Sequence, residues 1–144
     1  MFYISAYLEA HRDTYYEKLL AISRDGDWTG WCLFFLTAVQ KQAEENHQKA
    51  DAILSLYNKM KSHFVDLTHS QYAIHALDWI FERPVFKSSD FIRSTSIPTP
   101  TAKRILNVLK NEAILKTIEE GSGRKSAVLA YTPLLNIAEG YQAF

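Results

Sequence analysis

The densest group of residues able to do chemistry lies between Thr99 and Lys125. Lys103, Arg104, Asn107 and Lys110 recur along a stretch that carries its apolar residues at Ala102, Ile105, Leu106 and Leu109. The two sets fall on opposite faces of a helix with 3.6 residues per turn. Lysine and arginine supply donors to phosphate oxygens, and asparagine can pair with the edge of an adenine. Thr101 sits at the start of the same helix. Arg124 and Lys125 follow the glycine pair Gly121 and Gly123, where a hairpin tip could carry them to a neighbouring phosphate. The candidate DNA-binding set is therefore Thr101, Lys103, Arg104, Asn107, Lys110, Arg124 and Lys125. The plainer reading of the same residues is a solvated helix face on a domain that meets other proteins.

Other groupings are weaker. His63, His69 and His75 recur every six residues, which scatters them round a helix. Glu44 and His47 form half of a di-iron helix motif with no second half. The single Cys32 cannot make an internal disulfide and sits in an apolar run, which predicts a buried thiol. No nucleophile signature surrounds Ser5, Ser96 or Cys32. Neither a catalytic site nor a metal site is expected.

The elements that must hold the basic group can be read around it. Thr99 is expected as an N-cap with Pro100 at the first helical position, after the turn Ser94-Thr95-Ser96-Ile97-Pro98. A short helix over 90–94, capped by Ser88, precedes it, and Val85-Phe86 reads as a short strand. Residues 69–83 read as a helix with Ala73, Ile74, Leu77, Trp79, Ile80 and Phe81 buried, ended by Pro84. After Asn111 the period becomes two. Residues 114–118 and 126–131 read as strands joined at the glycine tip, and 133–138 as a last helix. This order predicts a winged helix-turn-helix over 67–144.

Upstream, 6–23 reads as a helix stopped at Ser23-Arg24-Asp25-Gly26, with Asp27 as the next N-cap. Residues 31–83 contain neither glycine nor proline. A helix over 28–65 is expected, roughly 55 Å long at about 1.5 Å per residue. Its apolar face is drawn through Trp31, Phe35, Val39, Gln42, Asn46, Ala50, Ile53, Tyr57, Met60 and Phe64. That face is polar in the middle, which suggests two bodies with a waist between them. Asp66 or Thr68 is expected to cap the following helix.

Composition sets the bounds. The chain has 144 residues, 47% of them hydrophobic and 13% aromatic, which excludes global disorder. Net charge is zero but uneven: residues 1–83 hold eight basic and eleven acidic groups, whereas 84–131 hold eight and four. The modest basic excess coincides with the candidate DNA-binding group. No signal peptide or bilayer-spanning stretch is read, and one cysteine suits a reducing compartment, so a cytoplasmic location is expected.

The first part of the chain resembles the C-terminal helical part of the Fic family. The matching residues are Ser5, Tyr7, Arg12, Asp13, Tyr15-Tyr16, Leu19, Gly26-Asp27-Trp28, Trp31, Phe34-Phe35-Leu36, Val39 and Gln42-Ala43. The resemblance implies a parent protein that transfers AMP from ATP, with magnesium, to a protein hydroxyl. It also implies that a winged-helix domain follows the core. The family motif has the form His-Pro-Phe-x-(Asp/Glu)-Gly-Asn-Gly-Arg. Lys116-Thr117-Ile118-Glu119-Glu120-Gly121-Ser122-Gly123-Arg124 imitates only its end, with Lys116 in place of the histidine general base. A lysine ammonium cannot accept that proton without a large pKa shift.

The expected fold is therefore mainly α: a helical segment over 1–66, then a winged helix-turn-helix domain over 67–144 with a small β-hairpin wing. The chain is read as the non-catalytic downstream region of a Fic-like AMP transferase, holding no cofactor of its own. Its expected partners are the missing Fic core, DNA through the winged helix, and a second copy through exposed aromatic helices. Tyr3, Tyr7, Trp28 and Phe35 are expected to share a face that packs against the missing core and, in the absence of that core, is exposed or buried in a self-association. The alternatives are a stand-alone DNA-binding regulator and a protein-interaction module.

Overall fold

The computed structural model describes residues 4–123 and 125–139. The described chain is mainly helical, with a small three-stranded antiparallel sheet. Two compact units divide it, one over residues 1–51 and one over 52–144.

In the first unit, α1 covers Ile4–Ala10 and α2 covers Arg12–Asp25. The single helix expected over 6–23 is broken at His11, whose φ of −118° and ψ of 37° leave the helical region. Gly26 then takes a left-handed conformation, φ 70°, and its N–H bonds the Ile22 carbonyl at 3.0 Å. A residue with a Cβ adopts that conformation only at a cost, which is why glycine ends the helix here. Asp27 caps the next helix as expected: its Oδ1 accepts from the Gly30 N–H at 2.8 Å.

That helix, α3, runs Trp28–Thr68. Ala38 and Gln42 are buried and Trp31 and Phe34 half-buried, with Trp31 set against Tyr15 and Phe34 against Tyr7. The packed face in this unit is therefore Trp31, Phe34, Ala38 and Gln42, rotated from the expected Trp31, Phe35, Val39 and Gln42. Cys32, expected to be buried, is exposed.

In the second unit, Met60 and Phe64 of α3 belong to the core, with Ile53, Leu56 and Tyr57 packed against it. Helix α3 ends at Thr68 because His69 turns left-handed, φ 45°. Neither Asp66 nor Thr68 caps the following helix; the Thr68 hydroxyl donates back to the Phe64 carbonyl at 2.7 Å. Helix α4, Ala73–Glu82, buries Ala73, Ala76, Leu77, Trp79 and Ile80, while Ile74 turns out to solvent. Strand β1 (Val85–Lys87) leads into α5 (Ser88–Ser94), then α6 (Thr99–Asn111). Trp79 ties the first three together. It meets Phe86 and Phe91 edge-on at 5.0 and 5.2 Å and donates its indole N–H to Ser94 at 3.0 Å.

Strands β2 (Lys116–Glu119) and β3 (Val128–Ala130) complete the sheet in the order β1-β3-β2. Phe86 and Thr117 both face Leu129 across the ladder, and the register slips between Thr117 and Glu119. Ser122 and Lys125 exchange both backbone hydrogen bonds, at 3.1 and 2.9 Å, and close the tip with Gly123 left-handed. Helix α7, Thr132–Glu139, buries Leu134 against the core.

Candidate nucleic-acid interface

Helix α6 is fixed from three directions. Ala102, Ile105, Leu106 and Leu109 are buried, as their spacing predicts. Four residues, Thr95 to Pro98, link it to α5. The helix begins one residue earlier than expected, with Pro98 rather than Thr99 at the N-cap. Pro98, φ −53° and ψ 134°, places its carbonyl to accept from the Ala102 N–H at 2.9 Å, and no side chain caps the end.

The exposed side of α6 divides the candidate residues into two flanks. Lys103, Asn107 and Lys110 line one flank, over a shallow groove of roughly 230 Å³. Ser88 and Ile92 of α5, Leu106 of α6, and Ala127 and Leu129 at the hairpin complete its walls. Ser88 is fixed there by its N–H, which donates to the Ala127 carbonyl at 2.9 Å. Lys103 and Lys110 make no salt bridge among the described residues. They stand about 10 Å apart along the helix axis, some three base-pair steps of a duplex.

Arg104 and Thr101 fall on the other flank. Arg104 reaches across to the end of α3, where its Nη1 donates to the Thr68 carbonyl at 2.8 Å. This carbonyl is among the last four of α3, which have no intrahelical donor. Thr101 is half-buried. The Arg104 guanidinium is thus committed to holding two helices together.

The hairpin contributes less free charge than its sequence suggests. Lys125 bonds Glu119 at 2.7 Å. Chiefly through that hydrogen bond and the attached charge, with Lys87 adding a smaller effect, the Glu119 carboxyl is held below its ordinary pKa. Arg124 lies outside the described residues. Sequence reasoning read Ser88 only as a helix cap, whereas it is the first residue of α5 and Lys87 is the N-cap, and it gave Ala127 no role at the site; only the register of β1 on β3 brings the two beside α6.

The remaining groupings do not converge. No cluster of three metal-ligating side chains occurs among the described residues. His63 lines a separate cavity of roughly 620 Å³, shared with Tyr131 and Pro133, away from His69 and His75. Residues 116–119 are a strand rather than the loop-to-helix passage of the Fic motif. No protein-family model matches the chain. Among the described residues no helix is long and apolar enough to cross a membrane.

Proposed function

We propose that residues 52–144 form a winged helix-turn-helix module that binds duplex DNA through the Lys103, Asn107 and Lys110 flank of α6. The element order supports the reading. Helix α4, strand β1, helices α5 and α6 and the β2–β3 hairpin follow one another, and α5 and α6 are joined by a four-residue turn. One observation carries the functional part: two lysines without a salt bridge among the described residues flank an asparagine on the solvent side of a helix whose other face is buried. Lysines without internal partners can exchange counterions for phosphates, and asparagine can read adenine.

The resemblance over residues 5–43 extends the proposal: this module belongs to the non-catalytic C-terminal region of a Fic-like AMP transferase. The residues that carry it have structural work of their own, since Gly26 and Asp27 build the corner between α2 and α3. The winged module would then place the enzyme on DNA.

The test is duplex binding by the full chain between 50 and 300 mM salt. Two or three phosphate contacts predict a log K versus log salt slope of about −2 to −3. Lys103→Ala and Lys110→Ala should each make that slope shallower by about one. No binding at about 50 mM salt would remove DNA as the ligand and leave the protein-interaction reading.

A further inference from the structure

Helix α3 carries a second, exposed apolar face in the first unit, touching the packed row where Phe35 stacks on Trp31 at 6.2 Å. Trp28, Phe35, Leu36 and Val39 are 63%, 40%, 63% and 43% exposed, and Cys32 and Ala43 are exposed beside them. At about 100° per residue these six form one stripe, roughly a quarter turn from the packed row of Trp31, Phe34, Ala38 and Gln42. No charged residue occurs between Asp27 and Lys41.

We propose that this stripe is the interface of an antiparallel homodimer. The argument for a second copy lies in the spacing. Reversed about an axis between Phe35 and Leu36, the stripe matches itself: Trp28 meets Ala43, Cys32 meets Val39, and Phe35 meets Leu36. Each larger side chain faces a smaller one, so an identical surface supplies the complement. Trp28, Cys32, Phe35 and Val39 step by four, three and four, with Leu36 beside them, which suits a shallow, coiled-coil-like crossing.

Area supports the same occupant. With aromatic side chains presenting about 150–250 Å² each, the stripe leaves on the order of 500 Å² of apolar surface bare on each copy. Two stripes together remove about 1,000 Å², the threshold for a specific interface and the size of a weak, reversible one. A bare patch of about 500 Å² on one copy falls within the roughly 300–600 Å² of the largest apolar patch on a monomer, a patch that is often functional. Running two copies in parallel would instead set Trp28 against Trp28 and bring the two Cys32 thiols face to face. The antiparallel pair keeps these thiols seven residues out of register, about 10 Å along the axis.

The experiment is sedimentation equilibrium of the full chain from 1 to 100 µM, with Leu36→Glu as the comparison. Leu36 is exposed, so far-ultraviolet circular dichroism of the variant should match the parent. The expected result is a dimer whose dissociation constant rises about 100-fold or more in Leu36→Glu. Oxidation should give no Cys32–Cys32 cross-link. A monomer at 100 µM, a dimer indifferent to Leu36→Glu, or a ready cross-link at Cys32 would each overturn the proposal.

Discussion

Two cations one residue apart on α6 should respond to mutation in opposite ways. Arg104→Met keeps most of the side-chain stem and removes the guanidinium that bonds the Thr68 carbonyl. A hydrogen bond from a charged donor contributes about 1.5–3 kcal/mol. A cation at a helix C-terminus adds about 0.3–1 kcal/mol. Arg104 is largely exposed, so solvent screening brings the expected loss to the lower end, about 1.5 kcal/mol. For a unit of this size that corresponds to a fall in Tm of about 6–12 °C. Lys103→Met, on the solvent side with no salt bridge among the described residues, should change stability by less than about 0.5 kcal/mol.

The assay is paired: urea unfolding of each variant, and the salt slope of duplex binding. Arg104→Met should lower stability and leave the slope where it is; Lys103→Met should do the reverse. A destabilisation under about 0.5 kcal/mol in Arg104→Met, together with a shallower slope, would refute the reasoning. It would make Arg104 a phosphate ligand whose bond to Thr68 adds nothing in solution.

Two further perturbations test the packing. The Tyr131 hydroxyl is fully buried without a hydrogen-bond partner among the described residues, and burial pushes its pKa up to about 12. Tyr131→Phe should therefore be neutral or stabilising by about 1 kcal/mol in urea unfolding. A folded pKa above the unfolded value of about 10 gives stability that is complete below pH 10 and declines as pH rises towards 12. The parent should show that alkaline decline and the variant should lack most of it. At the α2–α3 corner, a Cβ on Gly30 would lie 2.1 Å from the Asp27 carboxylate that caps the helix. Gly30→Ala should gain about 1 kcal/mol of helix propensity and lose about 1 kcal/mol of cap, a net change near zero. In an Asp27→Ala background the same substitution should stabilise by about 1 kcal/mol, and a double-mutant cycle reads the coupling.

What the sequence disclosed follows physical range. The packed face of α6 was legible because its four apolar residues repeat at helical spacing within a short, proline-punctuated segment. The corner at Gly26 and Asp27 was legible because both residues act within a few positions of themselves. The break at His11 was not, because hydrogen bonds continue on either side of it, from His11 to Tyr7 and from Tyr15 to His11. One residue's dihedral angles leave no trace in composition. The face of α3 went astray for a different reason. The expected Trp31, Phe35, Val39 and Gln42 and the packed Trp31, Phe34, Ala38 and Gln42 both recur at helical intervals, so periodicity admits either row. Only packing against α1 and α2 selects one of them. Arg104 shows the same limit, since its partner lies 36 residues away.

The division of labour on α6 also follows from side-chain chemistry. A planar guanidinium is weakly hydrated and holds a fixed geometry, which suits a half-buried bond to a carbonyl. Lysine ammonium is a strongly hydrated point charge on a flexible stem, better suited to phosphates at the surface. With Arg104 committed to Thr68 and Lys125 to Glu119, Lys103 and Lys110 carry the free charge on the described α6 flank. Two such contacts support weak, salt-sensitive attachment, in the range of about 10⁻⁴ to 10⁻⁶ M for sequence-independent binding. Two modules on one assembly change that arithmetic, because the second binding event becomes intramolecular and avidity can exceed either affinity by about 10² or more. A chain with so little free charge on the proposed DNA-binding face would gain most from pairing. Leu36→Glu, remote in sequence from every residue on α6, should therefore weaken duplex binding while leaving the salt slope per copy unchanged.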